Sequence, residues 1–386
     1  MNEGLKKIFS EELEEIKSCG LYRSLKEINS PQEKELIVDG KTCINFSSNN
    51  YLGLATSISN KNDIIKAINK WGIGGGASRL VSGNFECYNK LEKELAEFKS
   101  RESSLVFATG YMANVGLISS IANEETVIII DRLNHASIID GIRLSRTKLY
   151  VYKHCNADSL EGVLKRSKKY KRILVITDSI FSMDGDIAPL KDITFLCEKF
   201  GAGLIVDEAH AFGVFGKKGA GIMSMYSLEG KAMIDMGTFS KSAGCLGGYV
   251  ACDNIMREIM INKARSIIYT TGLPPCIIEA NRSALNLIKN SEDKRIKLAE
   301  LSNYLRNKLK KLGYNTGNST TQIIPVILGD NETVIMYQNK LFEQGFFVPA
   351  IRFPTVPKDT ARLRLSLTSG HTIEDIDNFV DIMERI

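Results

Sequence analysis

"GLIVDEAH", residues 203–210, runs three aliphatic side chains together and then delivers Asp207, Glu208 and His210. An aliphatic run without polar alternation marks a strand buried on both faces, as in a parallel sheet covered by helices. Similar runs lie on either side: "SSLVFATG" (103–110), "TVIIID" (126–131), "KLYVYK" (148–153), "RILVITDS" (172–179), "AMIDMGTFS" (232–240) and "GGYVAC" (247–252). Helix-patterned segments separate most of them, so the spacing predicts an α/β fold around a mostly parallel seven-stranded sheet. The short link between the last two runs predicts a hairpin, which makes that edge of the sheet mixed.

The texture changes after "YTTGLPP" (269–275). A helical stretch over roughly 276–311 is followed by short strands "IIPVIL" (323–328), "GFFVPAI" (345–351) and "RLRLSL" (362–367), interleaved with helices. The expected organisation is a large domain over 46–275 and a smaller α+β C-terminal domain over 276–386. Residues 1–45 form an N-terminal segment packing with the small domain.

With 386 residues, 44% hydrophobic and 25% charged, the chain has the makeup of an ordinary globular protein, long enough for a main core and a companion. A net charge of +5 is small for this length, and "KRSKKYKR" (165–172) reads as a solvated helix end. No basic stripe with interleaved aromatics accompanies it, so no nucleic-acid partner is expected. The eight cysteines contain no C-x-x-C pair and read as reduced thiols of a cytoplasmic protein. Neither the spacing of His135, His154, His210 and His371 nor that of the cysteines suits a metal. The N-terminal "MNEGLKKIFSEELEEIKSCG" is charged and helix-patterned rather than a signal peptide. No run approaches the roughly 18 apolar residues of a membrane span.

Ligands of open α/β sheets gather outside the carboxyl ends of the strands. There the runs deliver Gly110 before a helix, His135 after "VIIID", Asp178 and Ser182, Asp207 and His210, and finally Thr238, Ser240 and Lys241. Each alone is ordinary: Asp207 suits a helix cap, a lone histidine is more often structural, and a lone lysine is usually a surface residue. Together they match what pyridoxal phosphate requires. That cofactor needs a lysine for its Schiff base, a carboxylate facing its pyridine nitrogen, an aromatic lid, and a phosphate cup of hydroxyls and helix-end amides.

These residues lie in stretches that resemble the α-oxoamine synthases, pyridoxal-phosphate enzymes of fold type I. The matching stretches are "NFSSNNYLGLA" (45–55), "GGGASRLVSG" (74–83), "ATGYMANVG" (108–116), "NHASIIDG" (134–141), "FSMDGDIAPL" (181–190), "VDEAHAFGVFG" (206–216), "GTFSKSAGCLGGYV" (237–250) and "AIRFPTVPKDTARLRLSLTSGHT" (350–372). The resemblance implies that Lys241 is the Schiff-base lysine and acid/base catalyst. Asp207 is the partner of the pyridine nitrogen, His210 the donor to the ring's phenolic oxygen, and His135 the imidazole stacked on the ring. Gly110, Tyr111 and Thr238 match phosphate-site positions, and Ser182 lies beside the ring. Thr271 matches a hydroxyl that reaches the phosphate of the neighbouring subunit, which implies a homodimer with sites at the interface. Arg364 matches the arginine that pairs with the amino acid's carboxylate. Arg362, two residues along the same strand, shares its face, so the choice between them rests on the alignment. Arg23, Asn49 and Arg352 match positions lining the substrate site.

Members of the family join glycine to acetyl-CoA or succinyl-CoA, alanine to a pimeloyl thioester, or serine to a long acyl-CoA. The 350–372 block is most similar to the member that takes L-alanine and a pimeloyl group on CoA or a carrier protein. The glycine and acetyl-CoA reaction is the alternative within the family. Two departures stand out: Phe353, where that member often has proline, and Tyr88, where the family commonly has histidine. "DEAH" also names a class of nucleic-acid ATPases, but the chain has no G-x-x-x-x-G-K-[ST] loop. "GIGGGA" (72–77) follows a helix-patterned stretch rather than a strand, so it is no dinucleotide fingerprint. A non-catalytic partner subunit would lack the lysine.

Overall fold

Strands without polar alternation must be covered on both faces, and the computed structural model, which describes residues 2–57 and 61–386, shows how. The chain divides into two units. The larger comprises Asn49–Ser182 and Asp186–Leu298; the smaller gathers the residues up to Ser48, Met183–Gly185 and Ala299–Ile386.

In the larger unit the seven runs form one sheet: β1 Ser103–Phe107, β2 Thr126–Asp131, β3 Lys148–Tyr152, β4 Arg172–Asp178, β5 Gly203–Asp207, β6 Ile234–Thr238 and β7 Gly248–Cys252. Their spatial order is β1-β7-β6-β5-β4-β2-β3. All pairings are parallel except those of β7, which runs antiparallel to both β6 and β1. The hairpin expected between β6 and β7 is present, but β7 is not the edge strand; β1 lies outside it.

Side chains alternate between the two faces. Phe107, Ile128, Ile130, Ile176, Ile205 and Val250 pack into one buried cluster with Leu117 and Ile118 of the helix Gly110–Ile121 and Ile138 and Ile142 of Ala136–Ser145. On the opposite face Val106 and Tyr249 join Phe212, Phe239, Leu91 and Leu95 of Glu86–Phe98, and Ile278, Leu285 and Ile288 of Pro275–Lys289. That packing places residues 276–298 with the larger unit, whereas the sequence reading started the small domain at 276. The helix expected over 276–311 is two, Pro275–Lys289 and Glu292–Lys311. Arg295 donates at 2.7 Å to the Ile288 carbonyl, which satisfies an acceptor left over at the first helix's end.

The smaller unit contains two three-stranded sheets. Glu35–Val38 and Lys41–Asn45 form a hairpin joined in parallel by Phe346–Phe347. Ile323–Gly329 and Ala350–Ile351 flank Ala361–Ser366 antiparallel. The run "GFFVPAI" therefore serves both sheets rather than forming one strand. Pro349 stands at the changeover and has no N–H to offer a ladder. Among the described residues no helix is long and apolar enough to cross a membrane.

Candidate active site

Parallel strands end at one edge of the sheet, so the polar residues closing β4, β5 and β6 arrive together. Asp178 and Asp207 are direct partners in the β4–β5 register, and Thr238 closes β6 opposite Gly248. Asp207 is buried; Oδ2 accepts from the Asn114 amide at 2.8 Å and Oδ1 from the Ala209 N–H at 2.8 Å. The same Asn114 amide donates to Ser137 Oγ at 2.9 Å. Asp178 Oδ2 accepts from the His135 N–H at 3.0 Å. Burial, then the negative charge of Asp207, pushes the Asp178 carboxyl well above the usual carboxylate range, against the pull of the His135 N–H and Lys241.

His135 caps the helix Ala136–Ser145. Its Nδ1 accepts the Ser137 N–H at 3.3 Å and lies 2.7 Å from Ser137 Oγ, which leaves the neutral ring's proton on Nε2. The surrounding groups strip enough water from the ring to lower its pKa; Asp207 opposes this and the Lys241 ammonium adds to it. Lys241, half-buried, therefore acts electrostatically on both His135 and Asp178. His210 is buried with Nδ1 2.7 Å from the Tyr51 hydroxyl, which lies 3.0 Å from Asn49 Oδ1.

Thr109 caps the helix Gly110–Ile121, its Oγ1 accepting from the Met112 N–H at 3.1 Å. The first-turn amides of such a helix have no internal acceptors and form a seat for an anion. A Cβ on Gly248 would lie 2.5 Å from the Thr109 carbonyl oxygen, so only glycine lets β7 run against this helix start. Thr238 Oγ1 donates to the Gly247 carbonyl at 2.7 Å and accepts from the Ser240 N–H at 3.2 Å. Its proton is committed there, so the exposed Ser240 hydroxyl, 2.8 Å away, is the donor in the contact between them. Tyr111 is exposed with its hydroxyl 2.6 Å from Asp140 Oδ2, and Ser182 is half-buried. Thr271 is exposed and bridges to Ser78 through its backbone.

In the smaller unit Arg364 is buried on the strand Ala361–Ser366, with Nη1 2.7 Å from Ser366 Oγ. Arg362 pairs with Asp184 Oδ1 at 2.7 Å and donates to the Met183 and Thr360 carbonyls. Its charge already has a carboxylate partner in Asp184. Arg23 and Arg352 line a cavity of about 480 Å³ together with Tyr22, Phe342, Phe347 and Phe353. Arg23 donates to the Thr355 hydroxyl at 3.3 Å, and Arg352 to the Gly20 and Tyr22 carbonyls. Burial, then the like charge of Arg23, lowers the Arg352 pKa. Among the described residues neither guanidinium has a carboxylate within 4.0 Å.

His154 lies beside Asp131 and Cys155 with metal-ligand proximity. Both its ring nitrogens are taken, however, by Asp131 at 2.9 Å and Asp186 at 2.8 Å. Although burial opposes it, these carboxylates raise the imidazole to about 12, so the cluster is an imidazolium clamped between two carboxylates. Asn114, Ser137 and Tyr51 escaped the sequence reading. Asn114 falls one turn into the helix after Gly110, a position that helical spacing could have flagged; Tyr51 meets His210 only through the fold.

The model of the family described as aminotransferase class I and II matches residues 41–383. An 8-amino-7-oxononanoate synthase of Thermoanaerobacter pseudethanolicus is 45% identical over 377 residues, 97% of this chain and 95% of the relative. A protein of the same name from Alkaliphilus oremlandii is 44% identical over the same shares of both chains. Among solved structures, a lysine-to-alanine variant of serine palmitoyltransferase from S. paucimobilis with a bound PLP–myriocin aldimine superposes with a TM-score of 0.93 at 30% identity, over 100% of this chain and 98% of that one.

Proposed function

Since the chain belongs to the aminotransferase class I and II family and, within it, to the α-oxoamine synthases, we propose that it makes 8-amino-7-oxononanoate for biotin synthesis. L-Alanine and a pimeloyl thioester are joined, with loss of carbon dioxide and release of the free thiol. The observation that carries this reading is the 45% identity over 97% of the chain to a protein of that name.

Pyridoxal phosphate fits the donor set. The capped start of Gly110–Ile121 suits its phosphate, the buried and doubly hydrogen-bonded Asp207 suits a protonated ring nitrogen, and Lys241 supplies the amine. When bound, the cofactor supplies an electron sink for the carbanion formed at the amino acid's α-carbon. Asp207 would face the ring nitrogen, and Asn114 and the Ala209 N–H hold its carboxylate in place. Lys241 Nζ would hold the cofactor through its amine and would serve as the base that takes the amino acid's α-proton and returns one after carbon dioxide has left. His135, with its proton on Nε2, flanks the ring and donates to the thioester oxygen. His210, steadied by Tyr51, donates to the phenolic oxygen. Gly110, Tyr111, Thr238 and Ser182 complete the cofactor's surroundings. Arg364 takes the amino acid's carboxylate, a task matched to a planar fork of donors. Asn49 remains assigned to the substrate by its position in the matching stretch. The aromatic cavity holding Arg23 and Arg352 supports an acyl chain that ends in a carboxylate, as pimeloyl does.

A homodimer is part of the reading. The exposed Leu80 and Val81 lie in the segment Arg79–Gly83, adjoining Ser78, which bridges to Thr271; Tyr269 nearby is exposed too. Such an apolar surface beside a presented hydroxyl suits burial against a second copy. Eight unpaired cysteines support a cytoplasmic setting.

Purified protein given pyridoxal phosphate should show a visible absorption band that Lys241→Ala abolishes. L-Alanine with pimeloyl-CoA or the pimeloyl carrier protein should release carbon dioxide and free thiol. Turnover of glycine with acetyl-CoA, but not of this pair, would replace the proposal by 2-amino-3-oxobutyrate formation.

A further inference from the structure

Tyr88, which stands where the family commonly has histidine, is fully buried in the helix Glu86–Phe98. Its hydroxyl donates to the Leu273 carbonyl at 3.1 Å. The Arg79 guanidinium lies 4.1 Å from its ring centroid. Arg79 is itself immobilised: Nη1 meets Glu92 Oε1 at 2.6 Å and the Val106 carbonyl at 3.0 Å, while Nε and Nη2 meet Asn84 Oδ1 at 3.0 and 2.8 Å. Burial pushes the Tyr88 phenol up to about 12, so it remains a donor at working pH.

What Tyr88 grips is the segment carrying Thr271. Ser78 and Thr271 form an antiparallel bridge, and the Gly272 N–H donates to the Ala77 carbonyl at 3.0 Å. The two backbones touch: a Cβ on Gly75 would fall 2.3 Å from the Gly272 carbonyl oxygen. The Thr271 side chain is exposed, and among the described residues its hydroxyl has no hydrogen-bond partner. A rigidly held backbone thus presents an unused hydroxyl outward.

We propose that Tyr88 is a positioning residue for Thr271, its ring and hydroxyl locking residues 271–273 so that Thr271 Oγ1 meets the cofactor phosphate of a second copy of this chain. This rests on the reading of Thr271 as a phosphate ligand across the dimer. The test is the dissociation constant of pyridoxal phosphate from full-length protein for wild type, Thr271→Val, Tyr88→Phe and the double variant. Thr271→Val should weaken binding about tenfold, as expected for losing a hydrogen bond to a charged group. Tyr88→Phe should weaken it by about threefold to fivefold while lowering the melting temperature of the apo protein by no more than about 2–4 °C, and the double variant should be no worse than Thr271→Val alone. An unchanged constant for Tyr88→Phe, or a penalty that adds in full to that of Thr271→Val, would overturn the proposal. Wild-type binding by Thr271→Val would overturn it too while leaving the enzymatic reading intact, provided Lys241→Ala still loses its band. If wild type itself binds no pyridoxal phosphate, both readings fall together.

Discussion

Two arginines on one strand illustrate how much a single partner decides. Arg362 and Arg364 share a face, yet only Arg362 is held by Asp184. Arg364→Lys should raise the KM for the amino acid by about tenfold or more, because an ammonium cannot make the paired contact of a guanidinium. Arg362→Lys should leave that KM within about twofold and instead lower the denaturation midpoint. The reverse pattern in steady-state kinetics would exchange their roles. His154 makes a different point, since its effect is a pH dependence. With a folded-state pKa of about 12 against an ordinary 6.5, the clamp's full contribution is present below pH 6.5 and is lost as pH rises towards 12. His154→Gln should therefore be less stable than wild type by about 3 kcal/mol in mildly acidic urea titrations. The gap should narrow at pH 9; a gap that widens with pH would mean that the histidine is neutral when folded.

At the scale of elements, "DEAH" divides its labour by direction. Asp207 and His210 belong to the candidate site, whereas Glu208 is buried in an ion pair with Lys99 at 2.7 Å, and Lys99 also donates to the Ala220 carbonyl. Glu208 Oε1 accepts the Met223 N–H at 2.8 Å. Gly221, at φ +112°, has no room for a side chain, since a Cβ would lie 1.6 Å from Glu208 Oε2. This pair ties the turn after β5 to the helices beyond it. Lys99→Met leaves a buried carboxylate without its cation and should cost about 3–5 kcal/mol in chemical denaturation. A loss below about 1 kcal/mol would show that the turn is held by its backbone hydrogen bonds alone. The helix start at Gly110 depends equally on its neighbours, because β7 can approach it only at Gly248.

The whole molecule gives these elements their purpose. Exposed apolar residues in the smaller unit (Leu5, Ile8, Phe9 and Leu13 of the helix Glu3–Ser18) and in the larger (Leu80, Val81 and Tyr269) are more than isolated surface hydrophobes. Val81→Glu should shift the proposed dimer towards monomer in sedimentation and weaken cofactor binding with it; a dimer as in wild type would place the interface elsewhere. Much of this architecture was legible in the chain, because an aliphatic run ended by a polar residue encodes both a doubly covered strand and its functional end. Lys241, Asp207, His135 and His210 could be singled out from that rule together with the matching stretches. The place of β7 inside the sheet could not, since strand order depends on which edges pair and not on any one run. Nor could the partition of 276–298, the split of "GFFVPAI", or the contacts of Tyr51, Tyr88 and Arg362. Local pattern determined which residues form strands and where their polar ends fall. Only the tertiary structure decided which of those polar groups are already satisfied by distant partners, because a hydrogen bond or ion pair across tens of residues leaves no period in the sequence.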